Sequence, residues 1–389
     1  MKQGWEYKKL GEVCEVVSGS TPKTNVPEYW GEGHYWVTPA ELNDTIVYID
    51  KTERQITDEA LTKTKLRLLP VGTVLLSSRA PIGKVAITKT EMYCNQGFKN
   101  CICSDSIYNK YLFYFLRLKK EYLNSLGRGA TFKEISKSIV ESITIPLPPK
   151  SAQLAIVSEL DKINELIRLK KEQLKDYDNL AQSIFYEMFG DPVENDKGWE
   201  VKYLNDICDV RDGTHDSPQY LQHSEYSLVT SKNIVNDEID FSKVNYISEE
   251  DFNNINKRSK VDDGDIIMPM IGTIGNPIIV HIDKVHKFCI KNVALIKFVA
   301  ETQISNLFLL NLMKCKSFND YLKSHNKGGT QKFIALGTIR KLRIILPPLP
   351  LQHLFAQRIE QIERQKSAVQ KSITDLETLL ASRMQYWFE

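Results

Sequence analysis

The strongest candidate for catalysis in the sequence is a histidine followed directly by an aspartate, His215 and Asp216 in the segment GTHDSP. A carboxylate that orients an imidazole is the arrangement of a general base. A base of this kind activates a nucleophile, and no serine or cysteine motif of that type accompanies the pair. The pair by itself therefore does not predict an active site.

Binding motifs for phosphate and for a methyl donor are also missing. In the segment SRAPIGKV, Ser78 stands where a phosphate loop has its first glycine, and Val85 stands where it has serine or threonine. The sequence contains neither the Asn/Asp-Pro-Pro-aromatic tetrad of an amino-methyltransferase nor a glycine-rich loop for S-adenosylmethionine at the end of a strand. We therefore expect no catalytic residue and no cofactor in this chain.

The cysteines indicate neither a disulfide framework nor a metal site. There are seven of them, an odd number in a chain of 389 residues. The one close pair, Cys101 and Cys103, has no second pair at the spacing of a zinc site. Buried, reduced thiols and no bound metal are the expectation.

Composition is that of a globular protein without membrane spans. The sequence is 42% hydrophobic and 26% charged, and no apolar run approaches the roughly 18 residues of a spanning helix. The N-terminal segment MKQGWEYKKLGEV lacks an apolar signal core, so a cytoplasmic location without membrane contact is expected. The net charge of +2 is lower than that of many nucleic-acid-binding domains, so any such site must concentrate its charge locally.

The elements that would position loops such as GTHDSP and SRAPIGKV occur twice in the sequence. A shift of 199 residues places Gln153 on Gln352, Ser183 on Ser382 and Phe189 on Phe388. Upstream, Gly19 matches Gly213 with a different offset, which indicates loop insertions. A period of this length indicates duplicated domains, since solenoid repeats run to about 20 to 50 residues.

Each half begins with a domain of mixed structure. Short β-branched runs such as GTVLLSS and GKVAIT alternate with glycine, proline and asparagine, which is typical of strands and turns. One longer segment in each half has apolar residues at three- and four-residue spacing, namely YNKYLFYFLRLKKEYLNSL from Tyr108 and ISNLFLLNLMKCKSFNDYL from Ile304. The pattern predicts an α+β domain in each half.

A long helix is predicted after the Pro-Pro dipeptide of each half, because apolar residues follow the three-four steps of a heptad. The seam of the first helix is Leu160, Ile163, Ile167, Leu174, Tyr177, Ala181, Ile184 and Met188, with one charge at Lys170. The seam of the second is Ile359, Ile362, Val369, Ile373, Leu376, Leu380 and Trp387, interrupted by Lys366 and Arg383. Such charged breaks fix helix register at some cost in stability.

Connectivity predicts that the two helices pair antiparallel. The first helix ends near Phe189, and only the short segment GDPVENDKGW leads into the second domain. The second helix starts where that domain stops, so it must run back toward the first domain to bury its seam. Two domains held apart by a rod of roughly 45 Å, at 1.5 Å per residue, would result.

The whole layout resembles the specificity subunit of type I restriction-modification systems. The resemblance rests on paired segments in a fixed order, which are GWEYKKLGEV with GWEVKYLNDI, SGSTP with RDGTHDSP, YWVTPAEL with YSLVTSKNI, the turn RAPIGKVAI, and IPLPP with ILPPLPLQ. It implies two tandem α/β target-recognition domains separated by a long antiparallel two-helix coiled coil, with a pseudo-twofold internal repeat. The expected boundaries are 1–149 and 191–348 for the recognition domains, and 150–190 and 349–389 for the spacer helices.

The resemblance also implies partners. Each recognition domain would read one half of a bipartite, asymmetric site in double-stranded DNA. The helices would set the spacing and dock two modification subunits, which carry the S-adenosylmethionine and the adenine-N6 methyltransferase activity. Restriction subunits, with ATP and Mg²⁺, would add ATP-dependent endonuclease activity where they are present.

Candidate DNA-binding residues of the first domain are hydrogen-bonding side chains in its turns. Arginine pairs with guanine, asparagine and glutamine pair with adenine, and lysine contacts phosphate. The candidates are Ser20, Thr21, Lys23, Thr24, Asn25, Thr38, Ser78, Arg79, Lys84, Asn95, Gln96, Lys99, Arg128, Thr131 and Lys133. An ordinary solvated turn around residues 20–25, and a surface salt bridge for Arg79, are the alternatives.

The second domain has the corresponding loops with different side chains. Its candidates are Thr214, His215, Asp216, Ser231, Lys232, Asn233, Thr273, Asn276, Lys291, Asn292, Lys327, Thr330, Gln331 and Lys332. Similar frames with different loops are what two readers of different half-sites require.

Two other functions stay open on the sequence. A stand-alone methyltransferase or nuclease would bind labelled S-adenosylmethionine or cut DNA without partners. A coiled-coil scaffold that binds no DNA would lack the steep salt dependence of a DNA-binding protein.

Overall fold

The computed structural model describes residues 4–79, 81–129, 133–272, 274–283, 285–299, 302–325 and 333–389. The chain forms two compact units, Met1–Lys171 with Lys371–Glu389, and Glu172–Gln370. Each unit therefore combines one α+β domain with a segment of each long helix.

The first unit is built around a five-stranded sheet and a three-stranded sheet. Its strands are β1 (Glu6–Lys9), β2 (Cys14–Ser18), β3 (Trp30–Val37), β4 (Tyr48–Ile49), β5 (Gln55–Ile56), β6 (Val74–Leu76), β7 (Val85–Thr88), β8 (Tyr93–Cys94), β9 (Lys99–Cys103) and β10 (Thr144–Leu147). Its helices are α1 (Leu10–Val13), α2 (Asp58–Lys63), α3 (Asn109–Leu118), α4 (Lys120–Leu126) and α5 (Lys137–Ser142), followed by the long helix α6 (Lys150–Phe189). The strand orders are β2-β9-β6-β7-β4 and β5-β3-β8, and β1 pairs with β10.

The second unit repeats this plan. Its strands are β11 (Glu200–Tyr203), β12 (Asp209–Asp212), β13 (Tyr226–Val229), β14 (Ile234–Val235), β15 (Glu238–Ile239), β16 (Asn245–Ile247), β17 (Ile266–Pro269), β18 (Ile278–Ile279), β19 (Lys287–Ile290), β20 (Val293–Lys297) and β21 (Arg343–Leu346). Its helices are α7 (Leu204–Ile207), α8 (Glu249–Ser259), α9 (Asn306–Lys314), α10 (Lys316–Ser324) and α11 (Leu336–Arg340), followed by the long helix α12 (Leu349–Phe388). The strand orders are β12-β20-β17-β18 and β16-β13-β19, β11 pairs with β21, and β14 pairs with β15.

The internal repeat predicted from the sequence is confirmed by the strand pairing. Strand β1 pairs antiparallel with β10, Glu6 opposite Leu147, and β11 pairs antiparallel with β21, Glu200 opposite Leu346. The same short strand pair thus closes each domain immediately before its long helix. The prediction of two α+β domains is confirmed as well.

The glutamine that follows each Pro-Pro dipeptide is fully buried, and its amide ties the helix to the domain beneath. In the first unit Oε1 of Gln153 accepts from the Tyr108 amide at 2.7 Å, while Nε2 donates to the carbonyls of Ser106 at 2.9 Å and Pro148 at 3.0 Å. Gln352 makes the same three kinds of contact with Ser305, Gln303 and Pro347. The repeated motif is therefore a structural joint between strand, loop and helix.

We predict that Gln153→Leu lowers the free energy of unfolding of the first unit by about 2–4 kcal/mol. Leucine has nearly the same volume but leaves one amide and two carbonyls buried without partners. Urea unfolding followed by amide exchange measures the effect, and Gln385→Leu, at an exposed glutamine of α12 in the same unit, is the control. Equal midpoints for Gln153→Leu and the control would show that the buried amide has no structural role.

The long helices each span 40 residues, as the heptad pattern predicted, and they run antiparallel within each unit. In the first unit Arg383 Nη2 lies 3.1 Å from Glu159 Oε2, and Lys171 Nζ lies 2.8 Å from Glu377. Residue numbers rise along one helix and fall along the other between these pairs, which confirms the predicted direction. Arg383, one of the charged seam residues, holds the pKa of Glu159 below its ordinary value.

Lys366 is the corresponding seam charge of the second unit. Its ammonium lies 2.8 Å from Asp178 on α6 and 3.1 Å from Glu363 on its own helix. A pairing of this kind with the facing helix supports the interpretation that the charged seam positions set helix register.

Both helices end inside a domain core, which the heptad pattern did not predict. In the second unit Phe185 and Phe189 pack against Phe308 and Phe355, with ring centroids between 4.8 and 5.6 Å apart. In the first unit Phe388 is buried, 4.9 Å from the ring of Tyr111. The last turn of each helix therefore belongs to the core of an α+β domain.

All seven cysteines are free, and six of them are buried. Among the described residues no group of three or more histidine, cysteine or carboxylate side chains could hold a metal ion. In the same part of the chain, every helix is too short or too polar to cross a bilayer.

Candidate nucleic-acid interface

The loops singled out in the first domain converge on the turn between β8 and β9. The amide of Gly19 donates to the Phe98 carbonyl at 3.3 Å, and that of Ser20 donates to Cys94 at 2.9 Å. A Cβ atom at Gly19 would lie 1.8 Å from the carbonyl oxygen of Asn95, so this close approach requires glycine. Gly213 has the same role in the second unit, where a Cβ atom would lie 2.2 Å from the carbonyl oxygen of Ile290.

Side chains and main chain then join this turn to the end of β3. Thr21 donates to Gln96, and the amide of Asn95 donates to the carbonyl of Val37 at 3.1 Å. Thr38 caps the following turn through Glu41, with its hydroxyl 2.9 Å from the carboxylate. Three loops that are far apart in the sequence thus form one polar surface.

Two arginines extend the surface on the far side of β9. Arg79 and Arg128 each pair through their main chains with Glu134 in an antiparallel bridge. Residues directly opposite in such bridges place their side chains on the same face. Arg79, Glu134 and Arg128 therefore form a row of charged side chains, and Lys84, which donates to the Pro39 carbonyl at 2.9 Å, lies beside the same loops.

Most candidates of the first domain are accessible to a ligand. The exposed ones are Ser20, Lys23, Thr24, Asn25, Gln96, Arg128 and Lys133, and the half-buried ones are Thr21, Thr38, Arg79, Lys84 and Asn95.

Three candidates are buried. Ser78 is fully buried, and its hydroxyl lies 3.5 Å from the ammonium of Lys99. Lys99 is 8% exposed and lies 3.0 Å from the carboxylate of Glu134. Asn233 is 4% exposed, and its side-chain oxygen accepts from the amide and the hydroxyl of Thr230. These side chains make contacts inside the domain, where they support the loops.

An aromatic support under the first loop was missed in the sequence. The indole nitrogens of Trp30 and Trp36 donate to the carbonyls of Lys23 at 3.3 Å and Ser20 at 3.2 Å. The exposed Arg54 stacks on this pair, with its guanidinium carbon 3.8 Å from the ring centroid of Trp30. The register of β3 shifts between Trp30 and His34, and the two rings lie 4.8 Å apart, so the spacing of the tryptophans in the sequence did not signal this contact.

The loops of the second domain converge in the same way. The amide of Thr214 donates to the Ile290 carbonyl at 3.0 Å, and that of Asn292 donates back to Thr214 at 3.1 Å. The amide of Lys291 donates to Val229 at 2.9 Å, which brings the segment after β13 to the same place. Exposed candidates are His215, Asp216 and Lys232, and half-buried ones are Thr214, Ser231, Asn276, Lys291 and Asn292.

His215 is held between two acceptors, and neither is its neighbour Asp216. Its Nε2 lies 2.8 Å from Asp212 Oδ2, and its Nδ1 lies 2.8 Å from the side-chain oxygen of Asn292. These hydrogen bonds raise the pKa of His215 above its ordinary value, and the bond with Asn292 contributes most. The positive charge of the nearby Arg258 opposes the shift. An imidazolium donates from both nitrogens, so the arrangement favours a cation and not the neutral base that catalysis would need.

We predict that replacing Asp212 with asparagine, or Asn292 with alanine, moves the titration midpoint of His215 down toward 6.5. The folded-state pKa is raised, so this network contributes stability that is fully present below 6.5 and is lost as the pH rises through the raised value. Imidazole NMR resonances followed against pH give the midpoint. Asp216→Asn is the matched control and should leave it unchanged, and a shift in that variant alone would favour the sequence-adjacent pairing.

A groove beside His215 contains residues that the sequence reasoning overlooked. It is lined by the loop around Thr214 and Ser217 and by Asn254 and Arg258 from the last two turns of α8. Arg258 also pairs with the buried carboxylate of Asp212, which links the groove to the His215 network. A signal existed in the sequence, since Lys257 and Arg258 are the basic last turn of a helix that Ser248 caps.

Six candidates lie outside the described residues. They are Thr131, Thr273, Lys327, Thr330, Gln331 and Lys332.

Comparison with known proteins gives a consistent picture. The family model for the type I restriction modification DNA specificity domain matches residues 2–176 and again residues 196–378. The MjaIX specificity subunit of a type I restriction enzyme from Methanocaldococcus jannaschii is 38% identical over 252 residues, which cover 59% of this chain and 58% of that relative. The chain thus matches little more than half the length of this relative.

A second relative and a solved structure match over nearly the full length. The MjaVIII specificity subunit of the same organism is 25% identical over 417 residues, which cover 97% of this chain and 92% of the relative. A chain in a solved structure of the type I R-M system, described for its complex assembly and conformational transition, has a TM-score of 0.64 at 19% identity. That match covers 99% of this chain and 97% of the solved one, and it supports the fold. Because the family model matches twice and spans most of the sequence, the chain belongs to the type I restriction-modification DNA specificity family.

Proposed function

We propose that this chain is the DNA-reading subunit of a type I restriction-modification complex and that each recognition domain reads one half of a bipartite, asymmetric site. The observation that carries the proposal is the repeated loop surface. In both units the same main-chain contacts gather the loops around the turn before β9 or β20, while the side chains on those loops differ. Equal frames with unequal side chains suit two different half-sites.

The side chains of the first surface suit duplex DNA. Arg79 and Arg128 lie on one face, and arginine is the commonest bidentate partner of guanine in the major groove. Lys23 and Lys133 are exposed, and ammonium groups of this kind contact phosphates without reading sequence. Salt dependence of binding is therefore expected to be steep.

The long helices serve as spacer and as docking surface in this proposal. Two modification subunits bring S-adenosylmethionine and adenine-N6 methylation, and restriction subunits bring ATP, Mg²⁺ and cleavage where they are present. The relatives' names, all specificity subunits of type I restriction enzymes, support this assignment. This chain contributes recognition and no catalysis.

Mapping of methylated adenines in the host genome, with and without this gene, tests the function directly. Loss of one bipartite motif is the expected result. A genome in which every methylated motif survives deletion of the gene would contradict the proposal.

We predict that exchanging residues 1–145 for the corresponding domain of a relative changes one half of the methylated motif and leaves the other half intact. The reason is that the exchange replaces the first loop surface and keeps the second. Sequencing of methylated sites in cells carrying the hybrid gives the measurement. The reciprocal exchange of residues 196–344 is the control and should change only the other half, whereas a change in both halves from either exchange would show that the domains do not read independently.

A further inference from the structure

Each unit contains the same short arrangement of main-chain hydrogen bonds. The side chains on it are charged in the first unit and apolar in the second. In the first unit the amide of Ser78 donates to the Gly97 carbonyl at 2.7 Å, and that of Ile135 donates to Ser78 at 3.0 Å. In the second unit the amide of Met270 donates to Asn292 at 3.3 Å, and that of Ile334 donates to Met270 at 2.9 Å. The next residue pair outward is an antiparallel bridge in both cases, Arg79 with Glu134 and Ile271 with Phe333.

Burial alternates along this frame and shows which side chains face outward. Ser78 and Ile135 are fully buried, whereas Arg79 and Glu134 are both half-buried. In the second unit Met270 is 5% exposed and Ile334 is 1% exposed, whereas Phe333 is 40% exposed. Since successive residues of an extended segment point to opposite sides, Ile271 and Phe333 occupy the place of Arg79 and Glu134.

Polar side chains lie near this apolar pair, and Ile271 itself packs against the hydrophobic core of the second unit. Met270 precedes Ile271, and its amide donates to the main-chain carbonyl of Asn292. The side-chain oxygen of Asn292 is hydrogen-bonded to His215. Lys291 lies beside Asn292 and donates to Ser217. Phe333 is exposed beside the half-buried Ile271. An exposed apolar residue on a surface is ordinary, but here it stands at the position where the other domain has a charged pair, which indicates a different ligand group.

We propose that Phe333, together with Ile271, reads a thymine in the half-site of the second domain by packing against its 5-methyl group in the major groove. This inference rests on the proposed function. The thymine methyl is the one apolar group among the base edges of the major groove, so it is the group that an aromatic and an aliphatic side chain can recognise without hydrogen bonds. The first domain, with Arg79 in the place of Ile271 and with Arg128 bridged to Glu134, would instead read hydrogen-bond acceptors of guanine.

Replacement of thymine by deoxyuridine isolates the methyl group, because it changes nothing else on the base. The full-length chain, with and without its modification subunits, is titrated with duplexes carrying the mapped motif. Each thymine of the second half-site is replaced in turn. One position is expected to weaken binding about fourfold, which corresponds to about 0.8 kcal/mol for one buried methyl-sized group.

Substitutions then connect that methyl group to Phe333. Phe333→Ala should bind the thymine duplex about as weakly as the wild type binds the deoxyuridine duplex, with no further loss on deoxyuridine. Phe333→Leu should keep most of the discrimination, and Val285→Ala, at a residue 79% exposed on another loop, should keep all of it. Melting temperatures of the variants verify that the second domain is folded.

Wild-type binding that ignores every deoxyuridine substitution would overturn the inference while leaving the proposed function standing. So would a Phe333→Ala variant that retains the full penalty for deoxyuridine. Equal weakening of Phe333→Ala on both duplexes, with an indifferent wild type, would mean that the ring acts as a wedge between base steps and reads no methyl group. Absence of any sequence-specific binding would instead contradict the proposed function itself.

Discussion

Removal of one heptad from each long helix is expected to shorten the gap between the two recognised half-sites by about three base pairs. Deletions of residues 174–180 and 373–379 preserve the heptad register and shorten each helix by about 10 Å. Base pairs rise about 3.4 Å each, so the same cut also turns the domains by nearly a third of a turn around the duplex. Methylation at a motif with unchanged half-sites and a shorter gap, or complete loss of methylation, is the expected outcome.

Helix length is separated from helix sequence by a matched control. The solvent-facing residues of the same two segments are replaced, while the seam residues and the length of each heptad are kept. That variant should methylate the original motif, because its length is unchanged. If the shortened protein methylated the original gap with full efficiency, the helices would not determine the spacing, and that part of the proposed function would be wrong.

Phe388→Ala is expected to destabilise the first unit by about 3–5 kcal/mol, the usual cost of removing a buried phenyl ring. The ring is 4% exposed and lies 4.9 Å from Tyr111 and 5.9 Å from Phe115, so its removal leaves a cavity in the core of the recognition domain. Amide hydrogen exchange should accelerate across β6 and β9, while β17 and β20 keep their protection.

Phe189→Ala is the counterpart in the second unit and should produce the reverse pattern of exchange. Ser382→Ala, on the exposed side of the same helix as Phe388, is the control and should change stability by less than about 0.5 kcal/mol. Uniform loss of protection in both units after Phe388→Ala would show that this helix end does not belong to the first core in particular.

Features that depend on neighbours in sequence were predictable. The repeat, the antiparallel helix direction and the strand-rich domains follow from apolar periodicity, proline positions and short connections. Gln153 and Gln352 were visible as a repeated motif, although their buried hydrogen bonds were not. Local periodicity determines which face of an element is apolar, and the heptad therefore predicted both long helices.

The partner of each polar side chain was decided only by tertiary structure. His215 pairs with Asp212 and Asn292, and the adjacent Asp216 stays outside the network, because the strand directs Asp212 inward and the loop places Asn292 opposite. Lys99 is buried because Glu134, 35 residues away, neutralises it in the folded domain.

The helix ends and the apolar pair Ile271–Phe333 show that apolar contacts between distant segments could not be predicted from the sequence either. A heptad continued to Trp387 cannot tell a seam residue from one that enters a domain core, and Phe388 enters that core. An isolated phenylalanine in the sequence likewise gives no sign that Ile271 lies beside it, because their bridge joins residues 62 positions apart. The sequence by itself determined the two domains and their helices. Contacts between distant segments decided which loop residues remain exposed to a ligand, because only the packed core can hold such segments together.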